Sequence, residues 1–430
     1  MPTHIPYPRL DNIEDLTKYR PGGYHPVSVG DVFAGRYKVL HKLGFGGSST
    51  VWLARDQKFS NDSGSLVTLK ILSAEQSSKP MGIPDLYVSR ALDKSSGTLH
   101  PGRQHLPVIR DHFSHEGPNG SHLCLISQFA GPSLFAILEC PGRMSGSRRL
   151  RADLARKVAR QVANAVNLLH LAGIVHGDLT PSNILFQVSD TVHQWSNDDV
   201  YRNLGGPTLE NIVIHNRPLQ VVAAIDISRL STPSLLQEDA LLVDFGQSLL
   251  TDLPPPNYVP ATPLHYLSPN AFFDSKIGFA SDVWALACTI FETRAGSSLF
   301  DPFLGSDTII LKQIVETLGR FPDPWWSSWQ ARQPWFDKTG KAKPEEEQRK
   351  EGVLLTAVET SLRERLREIG QWDDAPDVDE GDMIEKTGTR LEEAEVELLG
   401  DLLEKMLRYN LQDSRTFMTE VLQHPWFVYN

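Results

Sequence analysis

Apolar and polar positions alternate on both sides of a glycine cluster in RYKVLHKLGFGGSSTVWLARD, so residues 36–53 predict two strands joined by a glycine-rich turn. Residues 67–72 form another short β-like run, and 123–129 a third that ends at Gly131-Pro132, a turn or hinge signal. Beyond the hinge the period lengthens. In 151–171 the apolar positions Leu154, Val158, Val162, Ala165, Val166 and Leu169 recur every three or four residues, an amphipathic helix closed by Gly173. Residues 281–294 are apolar nearly all round, the mark of a helix buried inside a larger helical body. Residues 398–407 and 416–422 are further helix candidates. The expected fold is α+β and bilobal. It consists of a leader over 1–30, a small β-rich lobe over 31–130 and a larger α-helical lobe over 131–430, the last carrying a spacer at about 187–239.

Composition narrows this little. With 430 residues, 40% hydrophobic and 22% charged, the chain is long enough for two or three compact bodies. The first twenty residues are polar and acidic and do not read as a signal peptide, and no run is long enough to span a bilayer. Cys124, Cys140 and Cys288 are widely spaced and odd in number, which fits a reducing compartment and buried thiols acting as small hydrophobes. A net charge of −11 argues against a nucleic-acid surface and permits a basic protein partner. Acidic residues crowd 373–397; a solvated loop and helix face is the favoured reading there, a docking site for a basic partner the other.

Four motifs carry chemistry. Gly44-Phe45-Gly46-Gly47-Ser48-Ser49-Thr50-Val51 sits between strands, where glycines let backbone N–H groups approach phosphates, although such a loop alone can be an ordinary hairpin turn. Lys70 ends the run Val67-Thr68-Leu69-Lys70. A lysine in a buried strand needs an anionic partner, and phosphates are one; a snorkelling surface lysine is the bland alternative. His176-Gly177-Asp178-Leu179-Thr180-Pro181-Ser182-Asn183-Ile184-Leu185 follows the long helix. Asp178 can orient a hydroxyl and accept its proton, and Asn183 can ligate Mg²⁺ from the same loop. Asp244 closes the apolar strand Leu241-Leu242-Val243 as Asp-Phe-Gly, well placed for the same ion. Each has a structural explanation when isolated, such as a helix cap or an Asx turn; four in this order do not.

These motifs resemble those of eukaryotic protein kinases and span nearly all of the chain. Ser281-Asp282-Val283-Trp284-Ala285 resembles the helix whose aspartate anchors the family's catalytic loop, and Asp413-Ser414-Arg415 running into His424-Pro425-Trp426-Phe427 resembles its closing helix. A narrower resemblance, to kinases specific for Ser/Arg-rich splicing proteins, lies in the leader Tyr19-Arg20-Pro21-Gly22-Gly23-Tyr24-His25-Pro26-Val27 and in Ser49-Thr50-Val51-Trp52. It continues in Leu318-Gly319-Arg320-Phe321-Pro322 and Trp335-Phe336-Asp337. The 61 positions separating Asn183 from Asp244, where most kinases have about a dozen, add to it.

The resemblance implies transfer of the ATP γ-phosphate to protein serine or threonine, with Asp178, Lys70 and Asn183 catalytic and Mg²⁺ on Asn183 and Asp244. It implies ATP contacts from Leu43, Gly44, Phe45, Gly46, Gly47, Ser48, Ser49, Thr50, Val51, Thr68, Lys70, Gln128, Ala130 and Leu185, with Ser127 and Val243 also beside the base. Expected partners are basic Ser/Arg-rich proteins, with no nucleic acid or membrane; the chain is expected to act as a monomer, in the cytoplasm, with the nucleus as a second compartment.

There are departures. Asp85 is the best match for the glutamate that pairs with Lys70, Thr180 replaces a lysine beside the γ-phosphate, and Asn270 replaces the glutamate that partners Arg415. Gly177 replaces the arginine that reads a phosphorylated activation loop, implying activity without that phosphorylation. A pseudokinase binding module and a small-molecule phosphotransferase remain the competing readings.

Overall fold

The computed structural model describes residues 8–58, 64–79, 82–94, 99–214, 217–253, 255, 258–302, 306–411 and 417–429. The chain divides into two compact units, one of residues 1–91, 106–132 and 185–243, the other of 92–105, 133–184 and 244–430.

The first unit is built on a six-stranded antiparallel sheet. Its strands are β1 (Val32–Phe33), β2 (Tyr37–Phe45), β3 (Ser49–Asp56), β4 (Leu66–Leu72), β5 (Asp111–Gly117) and β6 (Gly120–Gln128). They lie in the order β1-β2-β3-β4-β6-β5. Period-two alternation delivers Val39, Trp52, Ala54, Val67, Leu69, Ile71, Cys124 and Ile126 to one core. β5 reads DHFSHEG, with only Phe113 apolar, which is why hydrophobic alternation does not reveal it.

The spacer also belongs to this unit. Within it, Leu209–Ile214 and Arg217–Val222 form an antiparallel hairpin. Ile212, Ile214, Leu219 and Val221 cluster with Leu16, Tyr19 and Tyr24 of the leader, and Val222 joins the sheet core. The expectation that residues 187–239 ride on the helical lobe is therefore corrected. The hairpin's apolar face finds its complement in the leader, and neither could bury that surface alone.

In the second unit, helix Ala152–Leu171 buries Leu154, Val158, Val162, Ala165, Val166 and Leu169, each Val or Leu contributing roughly 1.5–3 kcal/mol. It ends at Gly173 with φ +77°, as the C-terminal glycine signal predicts. Helix Phe279–Ala295 is buried almost throughout, and Glu393–Met406 packs beside it. The aromatic segment after helix Asp307–Leu318 packs on other parts of this unit. Phe321 meets Trp329 and Tyr409, with ring centroids 5.8 and 5.0 Å apart, while Phe273 stacks on Trp325 at 5.5 Å.

Two further expectations change. The acidic run 373–397 is not merely solvated. Asp373 pairs with buried Arg149 at 2.7 Å, Glu380 with Arg143 at 2.6 Å, and Glu395 bridges Arg156 and Arg294 at 3.1 Å each. Much of that charge is consumed internally, because four arginines of the second unit need carboxylates. Cys124 and Cys288 are buried as expected, but Cys140 is only half-buried, just past the short helix Leu134–Leu138. Among the described residues no helix is long and apolar enough to cross a membrane.

Candidate active site

In the first unit, β2 and β3 continue to Phe45 and Ser49, and Gly46 N donates to Ser49 O at 2.9 Å, closing the turn. A Cβ added at Gly44, Gly46 or Gly47 would meet nothing within 4 Å, so the space beside all three is open. Val51 lies opposite Lys70 in the sheet, and Thr68 opposite Ser127. Lys70 Nζ is 3.2 Å from Asp85 Oδ1 in the first turn of helix Pro84–Lys94, with both side chains largely buried. The shorter acidic side chain thus reaches the lysine directly rather than through water. Leu43, Val51, Thr68, Ser127, Gln128, Ala130, Leu185 and Val243 all fall in this unit. Gly131 N donates to Phe186 O at 2.8 Å and Phe186 N to Pro132 O at 3.0 Å, tying the strand that carries Leu185 to the segment carrying Gln128 and Ala130. A Cβ at Gly131 would lie 2.7 Å from Leu236 Cδ2 and 3.2 Å from Phe186 O, so a side chain there would have to displace Leu236.

In the second unit a buried carboxylate organises the catalytic-loop candidate. Asp282 accepts from His176 N at 2.7 Å and Gly177 N at 2.9 Å, and His170 Nε2 lies 3.0 Å away. Ser248 Oγ donates to His176 O at 2.9 Å, and the His176 and Phe245 rings are 5.6 Å apart. Asn183 Nδ2 donates to Asp178 O at 2.8 Å and Asp178 Oδ2 at 3.1 Å, which leaves the amide oxygen, the atom a hard cation takes, uncommitted to that bond. Asp178 Oδ1 is buried without a hydrogen-bond partner among the described residues. Burial raises the Asp178 carboxyl above its ordinary range and the Asp244 charge adds to this, while His176 and Asn183 oppose it.

Asp244 is exposed and takes a left-handed backbone, φ 64°, while its carboxylate accepts from Gly246 N at 3.3 Å. A non-glycine residue held there is strained, a feature that concentrates at functional sites. Among the described residues no group of three or more His, Cys, Asp or Glu could hold a metal by itself. A cation on Asn183 and Asp244 would therefore complete its shell with ligand oxygens, as magnesium does on nucleotide phosphates. Thr180 is buried and brings no charge to this loop.

Gly177 has φ +82°, and a Cβ there would lie 2.6 Å from Gln247 O and 2.8 Å from Tyr258 Oη. Tyr258 Oη donates to Gln247 O at 2.8 Å and Thr262 Oγ1 to Gly177 O at 2.6 Å. The space an arginine side chain would enter is occupied by the segment after Asp244, fastened there by uncharged groups. Asp413, Ser414 and Arg415 lie outside the described residues, and with them the expected partner of Asn270.

Residues 37–194 and 209–427 match the protein kinase domain. The chain is a protein kinase. This kinase is similar to the serine/threonine-protein kinase SRPK of Physarum polycephalum, at 26% identity over 77% of this chain and 78% of the relative. It is similar to protein kinase dsk1 of Schizosaccharomyces pombe, at 25% over 73% and 71% respectively. It is also similar to human SRSF protein kinase 3, at 29% over 50% and 37%. The kinase is of the serine/threonine type, and these relatives carry the names of the group that the leader and spacer resemble. The matched ranges leave out residues 1–36, 195–208 and 428–430, so the leader and part of the spacer lie outside the shared domain.

Sequence reasoning missed several residues around these motifs: Glu14, Lys18 and Tyr24 of the leader, Lys42 on β2, and Tyr258 and Thr262. Tyr24 stood in the leader motif, and Lys42 carried the signal of a charged residue in a strand with Val39, Leu40 and Leu43.

Proposed function

We propose that this kinase transfers the γ-phosphate of ATP, as its magnesium complex, to serine hydroxyls in basic Ser/Arg-rich protein segments. The observation carrying the chemistry is the Asp178–Asn183 pair, in which one carboxylate oxygen is held by the asparagine amide and the other is buried and unpaired. That free oxygen is suited to accept a hydrogen bond from a substrate hydroxyl, orient it and receive its proton. Asp282 holds the loop still through two backbone amides, so the orientation needs no rearrangement during transfer. Asn183 and Asp244 would hold magnesium, which when bound offsets phosphate charge. Lys70, positioned by Asp85, would bind phosphate oxygens. The net charge of −11 and the similarity to SRPK and SRSF kinases support a basic Ser/Arg substrate. The packing on Gly177 supports activity without phosphorylation of the segment after Asp244, so phosphatase-treated enzyme should keep its rate within a few-fold.

The test is phosphate transfer from ATP/Mg²⁺ to a Ser/Arg-repeat peptide and to a neutral serine peptide, with Asp178→Ala and Lys70→Met as blanks. Preference for the repeat peptide, lost in both variants, is the expected result. Transfer undiminished by Asp178→Ala would overturn the catalytic assignment, and equal rates on both peptides would overturn the substrate class.

A further inference from the structure

The tip of the glycine-rich turn is held from outside by the leader. Tyr24 Oη donates to Gly46 O at 2.6 Å, and Lys18 Nζ donates to Gly47 O at 2.9 Å. The next carbonyl, Ser48 O, accepts from Ser73 N at 2.8 Å, so three consecutive carbonyls are engaged. A trans peptide unit is planar, with its C=O and the following N–H pointing opposite ways. Fixing the carbonyls of Gly46 and Gly47 on the leader therefore aims the amides of Gly47 and Ser48 away from it. Those two amides have no hydrogen-bond partner among the described residues. The Lys18 cation also polarises the Gly47–Ser48 peptide, making the Ser48 N–H a stronger donor.

The clamp is itself anchored. Lys18 Nζ sits 5.5 Å from the Tyr24 ring, and Tyr24 is buried edge-on against Tyr19. Tyr19 Oη donates to Glu14, which pairs with Lys42 of β2. Lys42 Nζ in turn donates to Val222 O of the spacer hairpin at 3.0 Å, and Ile225 N donates to Lys42 O at 3.0 Å. The Gly22-Gly23 bend is pinned by Glu75 N to Gly22 O at 2.8 Å and by Asn119 Nδ2 to Tyr24 O at 2.6 Å. A Cβ at Gly23 would lie 1.7 Å from Lys18 O, so only glycine permits the bend that brings Lys18 and Tyr24 back over the turn.

We infer that Lys18 and Tyr24 are positioning residues for nucleotide binding: the leader, braced by the spacer hairpin, presets the Gly47 and Ser48 amides to receive phosphate oxygens. This rests on reading the β2–β3 turn as the nucleotide loop. The preset lowers the ordering cost of binding, so its loss weakens nucleotide affinity more than it slows the chemical step.

The experiment uses full-length Lys18→Met, Tyr24→Phe and Lys18→Arg chains. Amide hydrogen exchange over residues 44–50 is followed without nucleotide, KM for ATP and kcat are measured separately, and melting temperature is the control for folding. Lys18→Met and Tyr24→Phe are each expected to speed exchange in 44–50 and to raise KM about 3- to 10-fold, the scale of one hydrogen bond, with kcat changed less than KM. Lys18→Arg, which keeps the charge and a donor, should restore most of both. Unchanged exchange and KM in both deleting variants would overturn the inference, as would equal losses in kcat and KM. Because exchange is read on the nucleotide-free chain, and transfer by the native chain separately tests the kinase assignment, the two can fail independently.

Discussion

Replacing Lys42 with methionine isolates the energetic weight of the buried ion pair beneath the clamp. Lys42 is fully buried and Glu14 is 2% exposed, and burial pulls the Lys42 pKa down while Glu14 opposes the shift. Truncating one partner leaves the other charge unpaired in a water-poor site, a cost of about 3–5 kcal/mol. Tyr19 would still donate to Glu14, which places the expected loss for Lys42→Met toward the low end of that range. Lys42→Met combined with Glu14→Gln removes the stranded charge while keeping an acceptor for Tyr19. The double variant should therefore recover about 1–3 kcal/mol relative to the sum of the singles. Hydrogen exchange at the Ile225 amide, which donates to Lys42 O, reads the local opening free energy where the hairpin meets β2. A loss below about 1 kcal/mol for Lys42→Met, or strict additivity in the cycle, would refute the claim that this pair ties leader, sheet and hairpin together.

Other perturbations separate the remaining arguments. Gly177→Ala should cost about 1–2 kcal/mol for the backbone alone and, by pushing on Gln247 and Tyr258, lower kcat at least about 10-fold. Gly142→Ala, with φ +77° and nothing within 4 Å, should show only the stability loss in a thermal melt. His25 is packed against His115 and His122, with ring centroids 4.6 and 5.0 Å away, and against Phe33; its pKa falls to about 3, first through burial and then through the two histidines. Its unfolded form takes up a proton near pH 6.5 and the folded form does not. Stability should therefore fall as pH drops from about 6.5 toward 3, by on the order of 4 kcal/mol at the lower end, and denaturation of His25→Phe should show a flatter profile. Ser127→Phe, opposite Thr68 in the sheet, should weaken binding of bulky ATP-site inhibitors at least about 10-fold in a displacement assay, whereas equal binding to both chains would remove Ser127 from the base pocket.

The parts of this kinase that were legible in sequence share short range and regular period. The two-residue period of 36–53 becomes Tyr37–Phe45 and Ser49–Asp56, and the stripe in 151–171 becomes Ala152–Leu171. The uniformly apolar stretch 281–294 becomes Phe279–Ala295, and 416–422 becomes Phe417–Val421. The helix expected at 398–407 begins earlier, at Glu393, because its first turn is acidic and shows no apolar period. Asp178, Asn183 and Asp244 were recognisable because loop chemistry needs fixed residue types at fixed intervals. What escaped depends on partners far along the chain. Lys42 and Val222 are 180 residues apart, and nothing local to the hairpin or the leader states which surface will cover it. Nor could spacing reveal that Tyr258 and Thr262 fill the place of a charged side chain, since that is decided by packing against Gly177.

The two ends of the spacer lie side by side, because strand Ile184–Val188 pairs with Leu236–Leu242 in a ladder of their own. Adjacent strands sit about 4.8 Å apart, a gap that a turn of a few residues can bridge. Residues between them, apart from the hairpin and Ile225 that hold the leader and β2, can thus be lengthened, shortened or exchanged without pulling on the segments that lead from Asn183 or to Asp244. The ladder works as a splice point, at which the stretches flanking that hairpin can change length while the two ends of the insertion stay in register.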